Sequence, residues 1–440
     1  MSSSILRTVI DETPWIDTHE HLVEERHRLG ADGYRFRDVW GGETHIPGGW
    51  TALISHYAVD DVISGGHAVR LDDGLSPGEQ WDALAAGLHA ARSTGYLRAV
   101  ELTTERLFGL PFSRDACDAL DDACRSLRRP GYYGHVLRDV ANVRRCHVNS
   151  VERDPCCDTA TPDLLDQDIA LYPLVAGAGS GAEQAYGASI GSLDDYTDLV
   201  EWCFDRYGDG AVAAKCAWAY FRPLAVRPSD SPPRRAFERL RLGTADRAER
   251  RSVEDYLFEH ALAAATRSGL PVKLHLGYLA GNRRPQMRWV GRHVRDVVPL
   301  LERHPSTTFV LMHAAWPHQE ELIAVAKHFP NAIVDLCWAW MLAPLATIEF
   351  VRRFLTTAPA SKLLCFGGDY LTVETVVGHA ELARRGLAAA LESLVDEGWI
   401  SADRALELVP MLMHGNAEAI FGHETAVGGS DRDAGPAVGE

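Results

Sequence analysis

His19 and His21 sit two residues apart in "WIDTHEHLVEE", at the end of an apolar run that reads as a buried strand. Side chains at i and i+2 of a strand point the same way, so both imidazoles would aim at one place, and the chemistry that implies is metal binding. With 19 histidines in the chain an H-x-H pair also arises by chance, so the motif needs partners. The candidates are Lys215 in "AAKCAW", His275 in "VKLHLG", His313 in "FVLMH" and Asp369 in "FGGDY", each at or just beyond the end of a short apolar run.

Those runs decide whether the candidates can meet. "PWIDTH", "NVRRCHV", "DIALYPLVAGAG", "GAVAAKCAWAY", "LPVKLHLGY", "TTFVLMHAAW", "NAIVDLCWAW" and "KLLCFGGDY" read as eight strands, and most are separated by amphipathic helical segments such as "RSVEDYLFEHALAAATRSG". Strict β/α alternation predicts an α/β fold, a (β/α)₈ TIM barrel, whose active site is built at the C-terminal ends of its strands. All the candidates fall there. Alternation in "VKLHLG" turns His275 inward and Leu274 toward the helices, and in "FVLMH" it predicts His313 on an inner face with Phe309 and Leu311.

Residues 1–24 carry the first strand and 141–422 the remainder of the barrel. Between them, 25–140 offers no barrel strand but several helical stretches, including "SRDACDALDDACRSLRR", and is predicted to be a largely helical insertion over the barrel mouth. The polar, aperiodic 423–440 is predicted to be disordered.

Composition excludes several classes of function. A formal charge of −17, from 44 Lys plus Arg against 61 Asp plus Glu, opposes nucleic acid and anionic membrane surfaces as partners. No run of 18 apolar residues and no signal-peptide pattern is present, so a membrane span is not expected. Nine cysteines without regular spacing, including the adjacent Cys156 and Cys157, fit neither a disulfide framework nor a zinc module, and point to a reducing cytoplasm. A small-molecule substrate is the partner expected, and a homo-oligomer stays open.

The segments "KCAWAYFRPL", "VKLHLGY", "FVLMHAAWP", "NAIVDLCW" and "HGNAEAIFG" resemble the amidohydrolase superfamily, in its amidohydrolase-related (amidohydrolase 2) branch. Within that branch they are similar to the FluG type, whose members occur beside or fused to glutamine synthetase-like domains, and more distantly to uronate isomerases. The resemblance covers the first strand and then about residues 140–422, with the insertion matching loosely.

It implies that His19, His21, His275 and Asp369 ligate a divalent metal. Zn²⁺ suits imidazoles with a carboxylate best, with Mn²⁺, Fe²⁺ and Ni²⁺ as alternatives, and one or two ions are open. A catalytic metal keeps a position for water, whose pKa falls from about 15.7 toward about 7. The resemblance then implies Asp369 as both ligand and proton acceptor, and His313 as a second-shell or second-metal histidine that polarises a carbonyl or oxyanion. Lys215 is either carboxylated and bridging two metals, or a plain amine paired with a carboxylate.

Arg222 in "AYFRPL" is a candidate clamp for a substrate carboxylate, because its planar fork matches that geometry, with a rim salt bridge as the alternative. Tyr220 and Trp338 are candidate pocket walls. Lys273, one layer below His275, is expected to form a buried ion pair with Asp17 or Asp335 rather than to act in catalysis. His27, His45, His56 and His67, in the insertion, would reach the mouth if that segment folds over it, but a surface or structural role is expected for each, and no metal role is expected for Cys156 and Cys157.

Three functional readings follow. The first is a metal-dependent hydrolase that cleaves a C–N or C–O bond (amide, lactam, ester or lactone) of a small, carboxylate-bearing molecule. The second is a nonhydrolytic decarboxylase or a uronate-type isomerase, since one site can host several chemistries. The third, a non-enzymatic scaffold, is disfavoured because none of the expected ligand positions is missing.

Overall fold

The computed structural model describes residues 3–422 except 31, 40, 72, 73, 156, 157, 230, 283 and 284, so the tail and the Cys156–Cys157 pair lie outside the described residues. The strands in chain order are β1 (Trp15–Glu20), β2 (Tyr34–Arg37), β3 (Glu43–Ile46), β4 (Val143–Val148), β5 (Leu165–Ala170), β6 (Ala211–Cys216), β7 (Val272–Leu274), β8 (Phe309–Leu311), β9 (Ala332–Asp335) and β10 (Leu363–Leu364). Eight of them form one parallel sheet in the order β1-β4-β5-β6-β7-β8-β9-β10. The segment after β10 returns to β1, with Thr18 N–H donating to Phe366 O at 3.0 Å and Asp369 N–H to His19 O at 2.8 Å. That brings the first and last strands together and makes the sheet a nearly closed barrel wrapped by helices. Among the described residues no helix is long and apolar enough to cross a membrane.

Local sequence explains the helices. In Arg247–Arg267, Asp246 caps the N-terminus by accepting from Ala248 and Glu249 N–H, Glu249 reaches back to Asp246 N–H, and Gly269 at φ +70° follows the end.

Three expectations are corrected. β5 begins at Leu165 rather than near 168, and Leu171–Leu174 is a helical turn. Its polar residues hid the strand: Asp166 pairs with Arg145, and Asp168 with Lys273. The register of β8 places Val310 beside the inward Lys273, so Phe309 and Leu311 take the side of Leu274, facing the helices. His313 reaches the interior because its backbone turns out of the strand at φ +64°. Lys273 is paired with Asp168 at 2.9 Å, near His147 Nδ1 at 3.3 Å, and not with Asp17 or Asp335.

Residues 25–140 contain the helices Ala58–Ser64, Pro77–Ala91, Gly95–Thr103 and Cys117–Leu127, together with the antiparallel hairpin β2–β3. This segment is packed rather than draped: Trp50 and Ile54 have no exposed surface, and Trp50 N–H donates to Asp121 at 3.0 Å. Arg28 and Arg128, from its two ends, enclose the fully buried carboxylate of Glu374 at 3.6 and 3.3 Å. Asp60 accepts from Gly281 N–H at 2.7 Å and so ties the segment to the loop after β7.

Candidate metal centre

His19 and His21 leave β1 toward the interior and meet Asp369, which arrives from beyond β10. Both Nε2 atoms lie 3.2 Å from the same Asp369 Oδ1. Two glycines before Asp369 permit this approach. A Cβ on Gly368 would stand 1.8 Å from Glu20 Oε1, and one on Gly367 3.0 Å from Cys337 Sγ. Asp369 itself takes φ +62°, a costly backbone for a non-glycine residue, and Tyr57 OH donates to its carbonyl at 2.7 Å.

Hydrogen bonding fixes the His21 imidazole. His21 Nδ1 lies 2.8 Å from Asn149 O, which can only accept, so Nδ1 carries the proton and Nε2 presents a bare lone pair to Asp369. Burial pushes His19, His275 and His313 well below the usual imidazole range and keeps them neutral. Burial also works to raise Asp369, but its close approach to His19 and His21 prevails and holds it well below the usual carboxylate range. Two imidazole Nε2 atoms thus converge on one carboxylate oxygen, an arrangement a cation would bridge. The donor set fits a divalent metal.

Below this group the barrel holds further buried acids. Asp17 accepts from His19 N–H at 3.0 Å and Gly368 N–H at 3.1 Å, and Glu20 accepts from Tyr370 N–H at 2.6 Å. Burial raises Asp17 to about 7 and Glu20 well above its ordinary value, so the facing pair retains a proton. Asp335, raised to about 6 mainly by burial, accepts from Thr18 Oγ1 at 2.7 Å and from Cys337 N–H at 2.8 Å. These contacts lock the backbone on which the candidate ligands stand.

The remaining expected residues divide. Lys215 is buried, its Nζ 3.4 Å from His19 Nε2, with its pKa lowered by burial. His275 is adjacent but stands outside the His19, His21 and Asp369 group; its Nε2 faces Tyr278 O at 2.9 Å, which leaves Nδ1 as the bare nitrogen. The His313 ring lies 4.1 Å from that of His275, and neither of its nitrogens has a partner.

Tyr220 lines a cavity of about 260 Å³ together with His21, Lys215, His275 and Asp369, and accepts from Ala280 N–H at 3.2 Å. Trp338 packs behind the site with its ring 5.2 Å from His313. Arg222 is not free to clamp a substrate. It lies on the Trp218 ring and is bound to Glu254 at 2.9 Å and to Asp255, so the salt-bridge alternative describes it.

Sequence reading missed Asp38, Thr44 and Tyr57 and expected a surface or structural role for His56; all four supply the insertion's wall of the cavity. His56 Nδ1 accepts from Leu371 N–H at 3.3 Å, a long-range contact that only the folded chain reveals. Of its neighbours, His27 is paired with Glu152 at 2.6 Å.

Comparison with known proteins places these features in context. The family profile described as Amidohydrolase matches residues 193–423, more than half of the chain. The protein fluG of Emericella nidulans is 26% identical over 49% of this chain, and the match spans only 26% of that protein's own length. A uronate isomerase of Rhizobium meliloti is 22% identical, covering 78% of this chain and 79% of the relative. The solved uronate isomerase of Thermotoga maritima superposes with a TM-score of 0.74 at 16% identity, over 95% of this chain and 97% of that one. At that identity the likeness is one of fold.

Proposed function

Because the chain belongs to the amidohydrolase family, we propose that it is a metal-dependent hydrolase that cleaves a C–N or C–O bond of a small molecule, an amide, lactam, ester or lactone. The observation that carries this reading is the convergence of His19 Nε2 and His21 Nε2 on one oxygen of Asp369, each at 3.2 Å. His19, His21 and Asp369 would hold the metal, with His275 beside them, and zinc is the cation these donors suit best. Such a metal supplies a Lewis acid that acidifies water and polarises a carbonyl.

The chain's own groups provide the rest. Asp369, ionised, accepts a proton at its carboxylate and returns it to the leaving group. His313, neutral and unpartnered, can donate a hydrogen bond to a developing oxyanion. Lys215 is the one Lys or Arg among the described residues lining the cavity, which favours a substrate rich in acceptor oxygens and takes over the electrostatic part assigned to Arg222. The insertion's Tyr57 holds the Asp369 backbone in place.

The whole-chain fold likeness to a uronate isomerase favours a second reading, aldose–ketose isomerisation, in which Asp369 would move a proton between adjacent carbons. Mass spectrometry of products separates the two. The chelated protein reloaded with Zn²⁺ is offered lactones, amides and uronates. Hydrolysis adds one water to the product and isomerisation leaves the mass unchanged. Consumption of uronates alone, at constant mass, would overturn the hydrolase reading.

A further inference from the structure

Asp369 belongs to a second group of donors. His313, Cys337 and Asp369 each bring one ligand atom to within 4.8 Å of the others, and all three side chains are buried. These residues stand just beyond β8, β9 and β10, three neighbouring strands. We propose that Cys337 and His313 form a second cation position that shares the Asp369 carboxylate and takes a thiophilic divalent metal such as Zn²⁺, Cd²⁺ or Co²⁺.

Four observations support it. His313 is fully buried and neither ring nitrogen has a hydrogen-bond partner, a cost that a coordinated cation removes. His313 and Cys337 adopt φ +64° and +46°, and Asp369 +62°, so strained backbone collects at all three donors. Cys337 is held in this conformation by its own N–H, which donates to Asp335. Gly367 keeps room for the sulfur, since a Cβ there would meet Sγ at 3.0 Å. Imidazole, thiolate and carboxylate together form a donor set for borderline-soft metals rather than for Mg²⁺ or Ca²⁺.

Binding requires loss of the thiol proton: Cys–SH plus M²⁺ gives Cys–S⁻–M²⁺ plus H⁺, with no change of oxidation state. The inference rests on the metal reading above only for the shared carboxylate.

Titration of the chelated full-length protein with Co²⁺ tests it by absorbance, without any substrate. Wild type is expected to bind two equivalents, the second bringing a near-ultraviolet thiolate-to-cobalt charge-transfer band. Cys337→Ser should bind one equivalent and lose the band, and His313→Asn, which keeps the thiol, should likewise stop at one. A single equivalent without the band in wild type overturns the second position and leaves the His19, His21 and Asp369 site intact. A band on the first equivalent overturns the shared arrangement in favour of one sulfur-ligated site. No cobalt bound at all sinks both.

Discussion

At the residue scale, Asp369 is asked to hold a cation and to carry a proton. Asp369→Asn keeps the size and one oxygen donor but loses the basic carboxylate, so kcat at saturating metal is expected to fall by ~10²–10⁴ while some metal is retained. Steady-state rates with metal content measured on the same sample check this, and near wild-type kcat would exclude Asp369 as the base. His19→Ala and His21→Ala should each lower bound metal by about one per chain relative to wild type in elemental analysis. His275, outside the three-donor group, is expected to weaken binding by ~10–100-fold when changed to Ala, as groups supporting a metal site commonly do. Equal loss in all three variants would restore His275 as a full ligand.

At the scale of elements, the barrel mouth depends on how residues 25–140 are anchored. Deleting 40–75 would remove Trp50 and Ile54 from the core, so a lid function cannot be probed that way. Asp60→Ala is the narrower change, since it loosens the loop after β7 by removing the bond to Gly281 N–H while the bond from Asn282 Nδ2 to the Asp60 backbone carbonyl stays. A hydrogen bond to a charged group is worth about 1.5 kcal/mol, so a rise in KM of about tenfold with little change in kcat is expected. A fall in kcat alone would assign the loop to chemistry instead.

Glu374 anchors the same segment from below, between Arg28 and Arg128. Burial acts to raise its carboxyl, yet the two guanidiniums prevail and its pKa lies below the ordinary value. A depressed carboxylate contributes stability that is fully present above its unfolded pKa, about 4.3, and is lost as pH falls through the lower folded value. Glu374→Gln should therefore cost roughly 3–5 kcal/mol at neutral pH, with the gap to wild type closing in acid. Urea midpoints measured against pH would show it, and a gap independent of pH would refute the ion-pair account.

For the whole molecule, a metal that binds the folded chain and not the unfolded one shifts the equilibrium by mass action. At free metal near 100 times Kd the gain is about 2.7 kcal/mol, so Tm should climb with added Zn²⁺ and drop after chelation. His21→Ala should weaken that dependence, leaving what the His313, Cys337 and Asp369 position contributes. A Tm indifferent to Zn²⁺ in wild type would argue against the site. The same view explains why the barrel tolerates so many buried charges: Lys273 is matched by Asp168, and Asp335 by Thr18 and the Cys337 N–H.

What the sequence by itself determined is the (β/α)₈ architecture and the positions of His19, His21, His275, His313 and Asp369 at strand ends, because apolar periodicity and the H-x-H spacing are local properties of the chain. It could not reveal that Arg222 is spent on Glu254 and Asp255, that Lys273 chooses Asp168, or that His56 and Tyr57 wall the cavity. Those outcomes depend on pairings across tens to hundreds of residues. The turn of His313 into the site was equally hidden, since strand alternation ends where the backbone reaches φ +64°. Tertiary structure decided which polar groups found partners and which were left facing one another, and that remainder is where the chemistry is built.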